Sequence, residues 1–474
     1  MKGFFNMIFA DLTFLYFFLP LNIILYFISK NLTYRNIVLI VFSLFFYAWG
    51  EPVWIALLIF SGIINYFSAL AINKFRGSFK AKLTLILAVI VNIGFLVLFK
   101  YSGFIAESIN LLGFHLPVPK FSLPVGISFY TFQTLSYVAD VYNNKTLVQK
   151  SFPKFFMYVS LYPQLIAGPI VLYKQVALEI DYRKTDIRDI STGATRFIYG
   201  LSKKVLVANT AGLLATQYLG GDLSKLSVAG AWFGIFMYAL QIYYDFSGYS
   251  DMAIGLGRIF GFNYPENFCY PYISGSATEF WRRWHITLSS FFRDYVYIPL
   301  GGNRKHLYRN LFIVWFLTGL WHGASFNFII WGLFWGVLVA LEKKFMLKYL
   351  EKLPWYITRP YMCVVILVSW AIFYFTDMGK LGQFLKIMFG LSGQPLSDIG
   401  TEITLMNNII WIIMSVFFCM PMLKGFKYLS ANEFKPKTQK IILYIHIVIN
   451  TALLLICTAV LCGQAYNPFL YYKF

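Results

Sequence analysis

Charge is what this sequence has least of. Only 13% of its 474 residues are Asp, Glu, Lys or Arg, about half the roughly 25% of an ordinary soluble domain. That shortfall excludes a disordered chain and a cytosolic enzyme. Cysteine is scarce as well. The five present (Cys269, Cys363, Cys419, Cys457 and Cys462) are odd in number, lie mostly in apolar segments and form no CxxC pair. Neither a disulfide framework nor a structural zinc site is indicated. There is no GxSxG elbow and no HxxxH or HExxH spacing, so hydrolase and metal readings lack support. Gly255-Leu-Gly257-Arg-Ile-Phe-Gly261 looks like a dinucleotide loop, but its last spacing is wrong and no βαβ unit precedes it. It reads as a helix-packing glycine face.

What is present is apolar. Hydrophobic residues make up 59% of the chain and aromatics 20%, and mean hydropathy is +0.63. The apolar residues fall in blocks of about 17 to 32 uncharged positions along the whole chain. A run of about 20 such residues crosses a bilayer as a helix. The pattern predicts an all-α, polytopic integral membrane protein with about 10–12 transmembrane helices plus re-entrant or interfacial ones. Candidate spans are 12–29, 36–49, 53–72, 83–100, 123–142, 189–216, 226–247, 355–376, 403–423 and 441–462, with the long block 310–341. Residues 155–172 hold Pro163, Gly168 and Pro169, so a kinked or re-entrant piece is expected there. No repeat or linker marks a second, soluble domain. The chain reads as one transmembrane domain over 1–474, with its chemistry-bearing motifs at 244–342 and a tail at 463–474.

Lysine and arginine number 40 against 20 acids, a net +20. The basic residues cluster in short loops that alternate with loops poor in positive charge. The positive-inside rule and anionic lipid explain them better than nucleic acid does. The basic set belongs in the cytoplasm, and both termini then lie outside. No small-residue cleavage site precedes Asp11, so the N-terminus is expected to be retained as the start of the first span.

Two segments break the simple pattern. One helix over 310–341 would be about 48 Å long, too long for a ~30 Å core, and basic loops flank it on both sides. The block must turn back, and His322-Gly323-Ala324-Ser325 is the natural turn. That places His322 roughly 18 Å along the first arm, near the membrane midplane. The second segment, 276–300, opens with a capping-box spacing, Ser276 to Glu279, and ends at Pro299. As one amphipathic helix it groups Trp281, Trp284, Leu288, Phe292 and Tyr295 against Arg283, Thr287, Ser290 and Asp294. His285 falls on the border, and the helix is expected at the cytoplasmic interface.

A histidine at the midplane is costly and marks function by default. His322 is either a general base for a hydroxyl attacking an acyl carbonyl or a residue gluing two helices. Gly323 beside it would let a substrate approach the backbone. His285 is either a second polar group that orients or polarises the substrate, or an interfacial ring half in water. Neither has an Asp five residues on, as a soluble-type His-x4-Asp acyltransferase would. His115 and His306 lie in loops, and His446 is expected to pack between helices. Asp245 and Asp251 need partners, and Arg258 or Arg282 is expected to supply them, structurally. Gly301-Gly-Asn303-Arg304 is a tight cytoplasmic turn whose arginine could meet a phosphate-bearing donor or lipid.

The run from Glu279 to Ser289 (EFWRRWHITLS), the run from Arg293 to Arg304 (RDYVYIPLGGNR) and Trp321-His-Gly323 together resemble the bacterial membrane-bound O-acyltransferases, in the branch of the alginate and peptidoglycan O-acetyltransferases. Leu123-Pro-Val-Gly-Ile-Ser-Phe-Tyr-Thr-Phe-Gln133, Pro163-Gln-Leu-Ile-Ala-Gly-Pro169, Tyr244-Asp-Phe-Ser-Gly-Tyr-Ser-Asp-Met-Ala-Ile-Gly255 and the ending Asn467-Pro-Phe-Leu-Tyr-Tyr-Lys-Phe474 extend the match. The resemblance implies helices around a central funnel, His322 as the family's near-invariant histidine and His285 as its second polar position. Trp281, Arg282, Arg283, Asp294, Asn303, Arg304 and Trp321 would be donor or funnel contacts. It further implies a place in the bacterial cytoplasmic (inner) membrane, a cytoplasmic acetyl donor, acetyl-CoA, with no bound cofactor, and an extracytoplasmic esterase-like (SGNH-type) partner. Phe469-Leu-Tyr471-Tyr-Lys-Phe474 resembles the Phe-x-Tyr-x-x-Phe ending of a partner peptide in the related D-alanylation system. Tyr471 is therefore expected to be either a transient acyl relay or an aromatic interface anchor. D-alanyl transfer from a carrier protein, and a transporter without chemistry, are the alternatives.

Overall fold

The computed structural model describes residues 7–421, 436–463 and 470, with the backbone alone over 436–443. Among the described residues it is helical and contains no strand. A short apolar helix α1 (Phe14–Ile28) leads into α2 (Leu32–Gly50), α3 (Ile55–Lys74) and α4 (Phe79–Asn110). Then come α5 (Ile127–Tyr142), α6 (Phe152–Ser160), α7 (Ile187–Ser202), α8 (Val228–Ile259), α9 (Ala277–Arg283), α10 (Ile286–Phe292) and α11 (Leu307–His322). The chain continues through α12 (Phe326–Leu350), α13 (Trp355–Tyr374), α14 (Ile399–Phe418) and α15 (Pro436–Gly463). Seven of the described helices are long and apolar enough to cross a membrane: α2, α3, α4, α12, α13, α14 and the Tyr444–Gly463 part of α15. Only 17% of the apolar stretch of α14 is buried and only 6% of that in α15. Water would not tolerate so much contiguous apolar surface, whereas lipid does. The protein is an all-α, multi-pass membrane protein.

Helix starts follow local chemistry. The Asn31 side chain accepts the Tyr34 amide 3.1 Å away and caps α2. The span expected from 123 begins helically only at Ile127, because Gly126 sits at φ +77° beneath the Leu165 carbonyl. A Cβ there would lie 2.7 Å from that oxygen. The segment 155–172 is broken as its prolines predict: α6 stops at Ser160 and a four-residue turn, Tyr162–Leu165, follows. Side chains satisfy the freed backbone, with Tyr158 Oη donating to the Val171 carbonyl (2.9 Å) and Gln164 Nε2 to the Tyr158 carbonyl (2.6 Å).

The chain divides into two compact units, one of residues 1–197 and 249–265, the other of residues 198–248 and 266–474. In the first, Gly255 faces Gly193 so closely that a Cβ on either would lie 2.6 Å from the other's carbonyl oxygen. The glycine face is indeed a packing face. Buried Arg183 donates to Asn36 (2.7 Å) and Tyr26 (2.9 Å). Asp251 pairs with Arg196 at 2.8 Å, while Arg258 turns to Asp189 at 3.4 Å. In the second unit Asp245 pairs with Lys204 at 2.6 Å. Both aspartates are thus held in ion pairs as expected, but with other partners than Arg258 or Arg282. The cations come from chain some 40 to 55 residues upstream, a contact that local spacing does not show.

Candidate active site

The second unit carries both candidate histidines. The block 310–341 folds back as its length demands, with α11 ending at His322 and α12 starting at Phe326. Its arms touch backbone to backbone. A Cβ on Gly319 would lie 2.3 Å from the Phe328 carbonyl oxygen, and one on Gly332 2.3 Å from that of Trp315. Contrary to expectation, Gly323 leaves no room for a substrate. A Cβ there would fall 2.2 Å from the Phe328 ring, so that aromatic fills the space. His322 is 7% exposed. Its ring is edge-on to Trp321 (4.9 Å), Trp331 (4.8 Å) and Phe373 (5.2 Å).

The segment 276–300 is not one helix. The first part, α9, stops at Arg283, Trp284 is extended, His285 takes a left-handed conformation at φ +43°, and α10 begins at Ile286. The cause is Asn267. Its carbonyl accepts the Ile286 amide (3.0 Å), and its side-chain oxygen accepts the Thr287 hydroxyl (2.9 Å) and lies 3.0 Å from His285 Nδ1. These contacts hold the chain in a conformation that is uncommon for a non-glycine residue.

The start of α9 is fixed from two sides. Ser276 Oγ accepts the Glu279 amide at 3.1 Å, as the capping spacing predicts. The buried Glu342 carboxylate accepts the amides of Ala277 (2.6 Å) and Thr278 (2.8 Å) and the Thr278 hydroxyl (2.7 Å). A negative charge on the first turn also meets the favourable end of the helix dipole. Trp281 then packs on Trp315 (4.8 Å) and Trp331 (5.6 Å). Trp331 and Trp335 both donate their indole N–H to Ser369 Oγ at 2.9 Å. Each such aromatic contact adds about 0.5–1.5 kcal/mol beyond burial, and together they make a rigid wall behind His322.

His285 is fully buried rather than half in water. Its ring meets Phe246 (4.7 Å) and Trp321 (5.8 Å). The indole of Trp321 therefore touches both imidazoles, which brings the two histidines to one place. Burial pushes the His285 imidazole down to about 3, so it is neutral near pH 7. Because Asn267 Oδ1 is already fixed as an acceptor by Thr287, His285 must donate from Nδ1. Its Nε2 is then a lone-pair acceptor, and it has no hydrogen-bond partner among the described residues. Such a group can receive a hydroxyl proton but cannot donate to a carbonyl.

The other sequence candidates disperse. Trp281 is buried in the wall, and Arg282 is exposed. Arg283 is tied to Glu279 (2.8 Å) and the Cys269 carbonyl (3.1 Å), and Asp294 to Arg293 (2.7 Å). Asn303 accepts from the Tyr297 hydroxyl at 2.7 Å in the turn where Gly301 and Gly302 have positive φ, and Arg304 is exposed beside it. His446, expected between helices, is exposed on α15. His306 takes φ +52° just before α11, and His115 is exposed. Tyr471 lies outside the described residues. Sequence reasoning missed Asn267, Glu342 and Lys204. Glu342 alone left a signal, a single acid closing a 32-residue uncharged run.

The profile of the membrane-bound O-acyltransferase family matches residues 129–377, which include both histidines. The chain is 36% identical to a probable alginate O-acetylase of Pseudomonas putida, over 99% of this chain and 100% of that protein. It is likewise 36% identical to a peptidoglycan O-acetyltransferase of Helicobacter pylori, over 84% and 82%. A teichoic acid D-alanyltransferase of Bacillus subtilis is 26% identical over 52% of this chain and 65% of its own length.

Proposed function

The chain belongs to the membrane-bound O-acyltransferase family and is an acyltransferase, and from that premise we propose that it acetylates a cell-envelope polysaccharide from across the cytoplasmic membrane. The donor is acetyl-CoA on the cytoplasmic side. The acceptor polymer, alginate, peptidoglycan or another exopolysaccharide, is reached through an extracytoplasmic SGNH-type partner, and both termini of the chain lie on that outer side. The observation that carries this reading is the convergence of His285 and His322 on one indole inside the profile-matched region.

In the proposed reaction His322 takes the phenolic proton of Tyr471 as the oxygen attacks the thioester carbonyl. The C–S bond breaks as the aryl ester forms, and the proton passes to the departing CoA thiolate. An aryl ester is more reactive than an alkyl one, so the acetyl can move on to the partner. His285 Nε2 accepts a hydrogen bond from the incoming hydroxyl and orients it, since its tautomer rules out polarising the carbonyl. D-alanyl transfer is supported by lower identity over about half the chain.

The test uses the protein in lipid nanodiscs with labelled acetyl-CoA. His322→Ala is expected to cut transfer by about 10²–10⁴-fold while donor binding persists. A conduit without chemistry would survive that change, and unchanged output would overturn the role of His322 as base and with it the enzyme mechanism.

A further inference from the structure

The Lys204–Asp245 pair is the most deeply buried ion pair with both side chains described, its partners 4% and 2% exposed. Ion pairs in such places rarely stabilise a fold better than apolar residues of the same size. This one has an extra occupant. While Lys204 Nζ holds Oδ1 of Asp245 at 2.6 Å, the other oxygen, Oδ2, accepts the backbone N–H of Leu470 at 2.8 Å. Leu470 is 225 residues away in sequence and itself only 8% exposed. The next residue along α8 is Phe246, whose ring stands edge-on to His285 at 4.7 Å.

We infer that Lys204 and Asp245 form a clamp for the C-terminal tail, setting the register in which the following residue, Tyr471, is presented to the histidines. The inference rests on the relay reading above. Lys204 neutralises and orients the carboxylate, so that Oδ2 faces the tail as a strong, charge-assisted acceptor. A backbone contact fixes register independently of side-chain identity at 470, and one peptide unit is about 3.8 Å. Both residues are positioning groups rather than catalytic ones.

Hydrogen exchange in nanodiscs, read by mass spectrometry on peptides spanning 464–474, tests the clamp without reference to activity. Asp245→Ala with Lys204→Met removes the acceptor and its cation together. Asp245→Asn with Lys204→Met keeps an acceptor oxygen. Tail exchange is expected to rise about tenfold or more in the first pair and to stay near wild type in the second. Slow exchange in the first pair would overturn the clamp. Should that pair fail to fold, Leu470→Pro removes the N–H, against Leu470→Ala, which loses the leucine side chain but keeps the N–H. Equal exchange in those two would likewise overturn it. Acetyl on Tyr471, read from the same peptides, separates the two ideas. Fast exchange with Tyr471 acetylation lost, kcat reduced and KM for acetyl-CoA unchanged supports the clamp and the relay together. Fast exchange with undiminished acetyl output keeps the clamp and ends the relay.

Discussion

His322 and His285 end up against the same indole, but two unlike pieces of chain deliver them. The α11–α12 hairpin places His322 with its own local features: an uncharged run too long for one crossing, a Gly-Ala-Ser turn and two glycines that let the arms touch. The α9–α10 break places His285 by borrowed contacts, from Asn267 behind it in sequence and Glu342 far ahead. The first arrangement is self-specified and the second is assembled from outside. A self-specified element should fail all at once when its own residues change, whereas an assembled one should fail by degrees, according to which outside contact is removed.

The largest effect is expected at Gly319→Val. The Phe328 carbonyl cannot retreat without splaying the hairpin, so the loss should exceed about 3 kcal/mol, seen as absence of monodisperse protein after extraction. Next comes Glu342→Ala, which leaves two amides and a hydroxyl at the start of α9 without their acceptor. About 2–4 kcal/mol is expected from thermal unfolding, with Glu342→Gln milder because one acceptor oxygen remains. Protein as stable as wild type after Glu342→Ala would remove the borrowed-contact account. Asn267→Ala should spare the fold more than either and lower kcat roughly tenfold by freeing the His285 tautomer. A matching fall in Tm would make Asn267 a purely structural residue.

The gentlest effect over any single pH unit is a pH slope. His285 has its proton affinity lowered by burial, to about 3, whereas the unfolded chain binds that proton near 6.5. Acid therefore favours the unfolded state, and stability should decline as pH falls from about 6.5 toward about 3, by at most ~1.4 kcal/mol per pH unit. His285→Gln should flatten that part of the profile, and an unchanged slope would assign it to other groups.

The same contrast explains what the sequence discloses. The hairpin is legible because membrane thickness converts residue count into depth, and 310–341 fits only as two arms. His285 reads as a border residue of an amphipathic helix because the wheel of 276–300 is self-consistent. Nothing local announces that Asn267, 18 positions back, breaks that helix and draws the ring inside. The partners of Asp245 and Asp251 escape sequence reading for the same reason, since their cations sit on α7 and on the helical stretch Lys203–Ala208 that continues it. The expected stations of Arg283 and Asp294 are plausible by face alone, yet short-range ion pairs already occupy both.

The glycine contact between α11 and α12 also bears on how the protein is made. A nascent segment carrying an imidazole deep within it partitions poorly into lipid on its own, since polar groups at the centre of a single inserting helix are disfavoured. Two arms that meet at Gly319 and Gly332 can leave the translocation channel as a pair. The second arm then shields the end of the first before either faces lipid alone. Synthesis and insertion of this region would be coupled events, and the His322 imidazole would enter the bilayer already wrapped.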